Sequence, residues 1–185
     1  MAKPHYSDEE LCDLLRNPLT KESGFRALLG QYGRMLYWHI RRTVIGHDDA
    51  EDAVQETSIK IWTNLDSFKG NASQLKAWIY RIATNEALQV LRKRTTFMQS
   101  IDSIGEELNR TLIAENQLDG NKAEGLLQEA LLKLPTQQRI AFNLRYYDEL
   151  TYEQIAEITG KKVGNLKTNY HFAVEKIRTY LNENI

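Results

Sequence analysis

Cysteine occurs once in the chain, as Cys12, so an internal disulfide and a cysteine-rich metal site are both excluded. The histidines His5, His39, His47 and His171 are scattered, with no pair one helical turn apart as a metal-binding helix requires. A glycine-rich phosphate loop is missing too, because the run Gly160-Lys161-Lys162 lacks the upstream glycine and the hydroxyl residue. No serine or cysteine has a readable base beside it. An enzyme is therefore not expected, nor any metal or cofactor. No stretch is long and apolar enough to cross a bilayer, and the opening MAKPHYSDEE is not a secretory signal. A cytoplasmic chain without membrane contact of its own is expected. Strand alternation is absent throughout, which predicts an all-α fold. An excess of one charge is absent as well: 24 Lys and Arg stand against 25 Asp and Glu, a formal net charge of -1. Nucleic-acid affinity comes largely from phosphate neutralisation and counterion release. A chain so balanced binds DNA feebly alone, unless its positive charge is strongly segregated or a partner supplies the remaining affinity.

What is present organises around the stretch from Thr151 to Leu181. Thr151 can cap a short helix with Ile155 and Ala156 facing inward. Gly160 tolerates the positive φ of a sharp turn. A second helix then carries Leu166, Tyr170, Ala173, Val174, Ile177 and Leu181 at the three-and-four spacing of one buried stripe. The spacing Ala156, Gly160, Leu166 resembles a helix-turn-helix: a small residue where helices cross, a glycine at the turn, and a plug in the angle between them. Opposite the stripe stand Asn165, Lys167, Thr168 and His171, with Lys161 and Lys162 where the helix begins. These are donors and short polar groups suited to base edges and phosphates. An ordinary helical hairpin with a solvated face is the competing reading, and the basic residues at the turn tip the balance to DNA.

Upstream, Ser7-Asp8-Glu9-Glu10 is a capping box for a short helix with Leu11, Leu14 and Leu15, ending before Asn17-Pro18. A longer helix follows with Phe25, Leu28, Leu29, Tyr32, Leu36 and Ile40 on one side, stopping near Gly46. Asp48 opens a helix through about Leu65, with Ala50, Val54, Thr57, Ser58, Ile61 and Leu65 inward. Its far side gathers Asp52, Gln55, Glu56 and Ile59, flanked by Asp48 and Trp62. That face is either a docking surface or a solvated face with one stray apolar residue. Residues 66–73 have turn chemistry and are expected to form a loop. A long helix is expected from about Gln74 to Arg94, with Leu75, Ile79, Ile82, Ala83 and Val90 in the core. A second row holds Trp78, Arg81, Asn85, Leu88 and Arg92, closed by Lys93 and Arg94. A tryptophan, guanidiniums and an amide in one row beside an aromatic-bearing loop suit a surface that stacks unpaired bases; packing of Trp78 against the preceding hairpin is the alternative. Periodicity fails over residues 95–125, an acidic stretch read as a flexible linker. The second domain then starts with Leu127, Ala130, Leu131 and Leu134, and Pro135-Thr136 opens a helix that ends near Tyr147-Asp148-Glu149.

Taken together, these segments resemble bacterial sigma factors of the small, two-domain extracytoplasmic-function (ECF) group. DDAEDAVQETSIKIWTNLDSF resembles the segment that docks on the clamp helices of the RNA polymerase β′ subunit, AWIYRIATNEALQVLRK the adjoining segment that opens and reads the −10 element, and LPTQQRIAFNLRYYDELTYEQIAEITG with KKVGNLKTNYHFAVEKI the domain that reads the −35 element. The resemblance implies two small helical domains: region 2 at 1–94, a linker at 95–125 that threads toward the polymerase channels, and region 4 at 126–185. It implies polymerase binding by Asp48, Asp52, Gln55, Glu56, Ile59 and Trp62. It implies −10 DNA binding by Phe68, Lys69, Gly70, Asn71, Ser73, Trp78, Arg81, Asn85 and Arg92, the loop forming a pocket for a flipped base. Contact with −35 duplex falls to Lys161, Lys162, Asn165, Lys167, Thr168 and His171. Core RNA polymerase, through its β′ clamp helices and β flap, promoter DNA and an anti-sigma factor are the implied partners. Glu86 departs from the family pattern where an apolar residue is usual, Gln89 where an acid is common, and Asn169 and Phe172 where arginine often stands. The rival function is a stand-alone helix-turn-helix regulator that binds an operator as a dimer.

Overall fold

The computed structural model describes residues 5–98 and 122–184, and among these residues every regular element is helical. The elements are α1 (Asp8–Arg16), α2 (Lys21–Val44), α3 (His47–Asn64), a 3-10 turn Leu65–Ser67, α4 (Ala72–Met98), α5 (Lys122–Leu132), α6 (Thr136–Phe142), a π-helical turn Asn143–Tyr147, α7 (Tyr152–Thr159) and α8 (Val163–Asn184).

Local chemistry accounts for the starts of α1, α4 and α7. Ser7 accepts from the backbone N–H of Glu10 while the Glu10 carboxylate accepts from the Ser7 N–H at 2.7 Å, the reciprocal cap expected from the sequence. Asn71 and Gln74 make the same exchange at the start of α4, at 3.2 and 3.1 Å. That cap extends α4 two residues upstream of the sequence-based boundary, and the helix continues to Met98 rather than ending at Arg94. The expected loop thus shrinks, since Leu65–Ser67 forms a turn of its own. The remainder of the expected linker, residues 99–121, lies outside the described residues. The C-terminal cap of α2 is less comfortable. Ile45 takes φ 77°, a region β-branched side chains rarely visit, and its N–H donates to Arg41 O.

Helices α1 to α4 pack around Leu11, Leu28, Leu36, Ile40, Ile61, Leu75, Ile79 and Tyr80, all buried. Gly24 allows α1 to cross α2 closely, because a Cβ there would come within 2.8 Å of Leu14 Cβ. Burial on α3 and α4 is wider than the expected stripes: Ala53 on α3, and Ala77, Tyr80, Thr84, Glu86 and Ala87 on α4, are also inside. Ile82 and Val90 are only half-buried. Ala53, Ala77 and Ala87 are too small to announce themselves in a hydropathy pattern, and Thr84 and Glu86 are polar residues buried with hydrogen bonds to His39 and Lys60.

The C-terminal helices contribute to two cores. Ala130, Leu131, Leu134, Phe142, Ala173 and Ile177 form one among α5, α6 and α8. Ile140 of α6, Leu144 of the π turn, Leu150 before α7, Ile155 and Ile158 of α7 and Leu166 of α8 are instead continuous with the core of α1 to α4. Helix α7 lies against α4, and α2 touches α6 and the π turn. The two halves are therefore packed face to face, an arrangement the sequence left open.

Candidate nucleic-acid and polymerase interfaces

On α3 the structure brings Asp48, Asp52, Gln55, Glu56, Ile59 and Trp62 to solvent together. Ile59 is 55 % exposed and Trp62 40 %, high values for large apolar side chains on a helix surrounded by carboxylates. The Trp62 ring is held from one side by Phe25, centroids 5.1 Å apart, and by the Lys21 ammonium 5.3 Å from its centroid. A rigid aromatic beside an acidic row is a preformed contact surface with little entropy left to lose on binding. Between α3 and α4 a groove of about 210 Å³ runs along the edge of this face, lined by Asp52, Glu56, Glu86, Gln89 and Lys93 among others. Glu86, where the family pattern calls for an apolar residue, is buried and bonded to Lys60 Nζ at 2.6 Å and Gln89 Nε2 at 3.2 Å. Its charge is thus matched by a neighbouring helix.

On α4 the row Trp78, Arg81, Asn85 and Arg92 shares one side, with Arg81, Asn85 and Arg92 exposed and Trp78 half-buried. Phe68 lies over Trp78, ring centroids 4.8 Å apart and tilted by 32°. Gly70 makes that approach feasible: a Cβ there would fall 2.5 Å from the Phe68 ring. Arg16 donates to Gly70 O at 2.5 Å and Lys69 to Asp66 O at 2.9 Å, so the loop is tied at both ends. Two of the expected base-pocket residues have structural work of their own. The Asn71 carbonyl caps α4, and Ser73 Oγ donates to it at 2.7 Å. Arg94, which the sequence places at the end of the row, turns away: it pairs with Asp49 and donates to Val44 O at 3.0 Å. Burial lowers its pKa. A side chain at Gly46 would collide with that guanidinium.

The helix-turn-helix geometry is as the spacing implies. Thr151 and Gln154 form a capping box, Gly160 sits at φ 67° and ψ 15°, and Leu166 is buried at the crossing. Lys161, Lys162, Asn165, Lys167, Thr168 and His171 all face solvent on the outer side of α8 and its approach. Lys167 Nζ lies 5.6 Å from the Tyr152 ring centroid, and Thr168 Oγ1 donates to Gly164 O. Phe172, 50 % exposed on the same side, offers a base no hydrogen bond, only an apolar edge.

A further polar cluster joins the halves, and nothing in the sequence points to it. His39 Nδ1 lies 3.0 Å from Asp148 Oδ2, Arg42 donates to Asp148 Oδ1 at 3.2 Å, and Tyr80 OH to the same oxygen at 3.3 Å. Its partners lie 68 to 109 residues apart in sequence, beyond any periodicity argument. Burial and the Asp148 carboxylate together push the Tyr80 phenol far above its ordinary pKa, so it remains a donor.

The fold and these surfaces define a class: a helix-turn-helix protein with an exposed acidic face on one side and a cationic, aromatic row on another. Comparison with known proteins narrows it. Family models described as Sigma-70 region 2 and Sigma-70, region 4 match residues 28–97 and 124–177. The ECF RNA polymerase sigma factor SigW of Bacillus subtilis is 30 % identical over 171 residues, covering 88 % of this chain and 91 % of the relative. The ECF RNA polymerase sigma-E factor of Haemophilus influenzae is 28 % identical over 165 residues, with 84 % and 86 % covered. Among solved structures, the sigma factor RpoE of Bartonella quintana in complex with the anti-sigma factor NepR superposes with a TM-score of 0.67 at 27 % identity, over 87 % of this chain and 98 % of that one. CnrH in complex with the cytosolic domain of CnrY shares the fold, with a TM-score of 0.69 at 22 % identity over 97 % and 100 % of the two chains. The chain belongs to the ECF group of RNA polymerase sigma factors. It is a transcription initiation factor that directs the polymerase to promoters.

Proposed function

We propose that the three exposed surfaces divide the work of initiation. The α3 face, Asp48, Asp52, Gln55, Glu56, Ile59 and Trp62, docks core RNA polymerase at its β′ clamp helices, while the C-terminal half meets the β flap. The α4 row, Trp78, Arg81, Asn85 and Arg92, with Phe68, Lys69 and Gly70 above it, holds the melted −10 strand. Asn71 and Ser73 shape that loop through the helix cap. The α8 face, Lys161, Lys162, Asn165, Lys167, Thr168 and His171, reads −35 duplex. The domain limits follow: region 2 to residue 94, region 4 from 126.

One observation carries this reading. The half of the molecule that bears the aromatic and cationic row also bears, on the neighbouring helix, an acidic face with an exposed isoleucine and a clamped tryptophan. Carboxylates repel phosphate, so such a face suits a protein partner rather than DNA. Physics supports the division as well. Unstacking a base costs a few kcal/mol, and a chain of net charge -1 cannot recover that from phosphate contacts alone. Docking on a large partner supplies the difference. The working place is accordingly the cytoplasm, and none of the described helices is long and apolar enough to cross a membrane. An anti-sigma protein is the expected antagonist, by analogy with the complex of RpoE and the anti-sigma factor NepR.

The test is affinity for core enzyme. Reversing charge at Asp52 and Glu56 lowers it with little change in melting temperature, since both side chains are exposed. Unchanged affinity refutes the docking assignment.

A further inference from the structure

The contact between the two halves is chemically one-sided. Asp148 lies between the π turn and α7 and is almost fully buried, yet its carboxylate partners all come from the other half: His39, Arg42 and Tyr80. Its backbone carbonyl accepts from Lys76 Nζ at 3.3 Å, again across the boundary. On its far side, His39 Nε2 meets Thr84 Oγ1 at 2.9 Å. The Thr84 hydroxyl also lies 2.7 Å from Tyr80 O, so the ring is held on both sides. The Arg42 guanidinium lies 4.3 Å from the Tyr147 ring centroid, and Arg139 donates to Thr43 O at 3.1 Å. Glu149, next in the chain, takes φ 54°, so the backbone turns sharply to insert the aspartate.

The closure is imperfectly compensated. The Asn143 side chain is fully buried in the π turn, and among the described residues neither its oxygen nor its nitrogen has a hydrogen-bond partner. Arg42 Nε and Arg139 Nε are in the same position. Separating the halves would hydrate the two arginine nitrogens, which offsets part of what the buried Arg42–Asp148 pair contributes. An interface of this kind holds but can be released.

Closure also has a cost for one surface and not for the others. Helix α7 lies along α4, and Arg81 of the strand-holding row donates its Nε to Glu157 O at 2.9 Å. The α3 face and the lysines of the helix-turn-helix stay exposed. We infer that the chain latches itself shut through Asp148 in the pocket of His39, Arg42, Tyr80 and Lys76, and that this latch must open before the melted strand reaches α4. This rests on the assignment of the α4 row to single-stranded DNA. The latch leaves the α3 face open to polymerase, since that face stays exposed in the closed chain.

The experiment uses the full-length chain, its Asp148→Ala variant and, as a milder break at a side chain near the surface, Arg42→Ala. Small-angle X-ray scattering gives the radius of gyration, and far-ultraviolet circular dichroism reports helix content. Fluorescence anisotropy with a pool of random single-stranded DNA 12-mers gives strand affinity. A closed chain of this length has a radius of gyration of about 16 Å, and unlatched variants exceed about 20 Å. Their affinity for the 12-mers rises about tenfold, because the competent fraction is no longer limiting. If Asp148→Ala loses helix content, the comparison rests on Arg42→Ala. A wild-type chain that is already extended, or folded variants as compact as wild type, overturns the latch. Extended variants with unchanged strand affinity uphold the latch and overturn the assignment of α4.

Discussion

Replacing Trp78 by alanine is the most informative single change. The ring is half-buried and lies 4.8 Å from Phe68, so it serves both the fold and the proposed base platform. The two contributions can be separated by size. A fully buried tryptophan truncated to alanine costs about 3–5 kcal/mol; half burial brings that to about 2 kcal/mol, tolerable for a chain with about 5–15 kcal/mol of stability. Stacking on an aromatic is worth about 1–3 kcal/mol per base, which corresponds to roughly 5- to 150-fold in open-complex stability. Trp78→Phe keeps a ring and recovers most of the stacking. The assay is permanganate reactivity of promoter thymines with core polymerase present, on a template recovered from a run-off library, with melting temperatures measured in parallel. Open-complex formation unchanged in Trp78→Ala, or lost equally in the alanine and phenylalanine variants, refutes the platform and leaves Trp78 as packing.

Other expectations are sharper in sign than in size. Arg81→Ala, an exposed site, loses the hydrogen bond to Glu157 O and about 0.5–1.5 kcal/mol of stability, yet weakens single-strand capture, measured by anisotropy with core enzyme. Changing Lys161, Lys162 and Lys167 together to alanine reduces the slope of log affinity against log salt on promoter duplex by about three, one per phosphate contact. Gly160→Ala meets no steric obstacle within 4 Å but must hold φ 67°, so its cost is backbone strain of about 1–2 kcal/mol, read as a melting temperature lower by about 2–8 °C. Lys60→Ala leaves the Glu86 carboxylate, 7 % exposed, with Gln89 as its one remaining partner among the described residues; since Lys60 is itself 37 % exposed, the loss is about 1–3 kcal/mol in urea titration. The double change Lys60→Met with Glu86→Leu recovers most of it.

What the sequence made legible was whatever depends on neighbours a few residues away. The cap at Ser7 and Glu10, the turn at Gly160, the plug at Leu166 and the shared face of Asp52, Glu56 and Ile59 all follow from helical periodicity and end chemistry. The Asn71–Gln74 cap obeys the same rule, but its turn-rich surroundings read as continuous loop, and α4 begins two residues early as a result. Partners brought together by tertiary packing were not legible. His39 looks like a stray histidine on a helix, and Asp148 like a polar residue at a helix end. Only the fold sets them 3.0 Å apart. Arg94 belongs to the α4 row by spacing, yet Asp49 and the Val44 carbonyl claim it from the far side. The placement of the halves has the same origin. Ile140, Leu144 and Ile155 read simply as core positions of their own helices, with no indication that the core they join is that of α1 to α4.

Run-off transcription with purified core polymerase, across a library of promoter fragments, bears most directly on the division of labour between α3, α4 and α8. Transcripts should appear from a distinct subset of templates only when the chain is added. They should fall sharply with reversed charge at Asp52 and Glu56, even though those residues touch no DNA in the proposed arrangement. Absence of initiation from every template, together with tight, salt-dependent duplex binding by the chain alone, would contradict the account and leave a stand-alone regulator in its place.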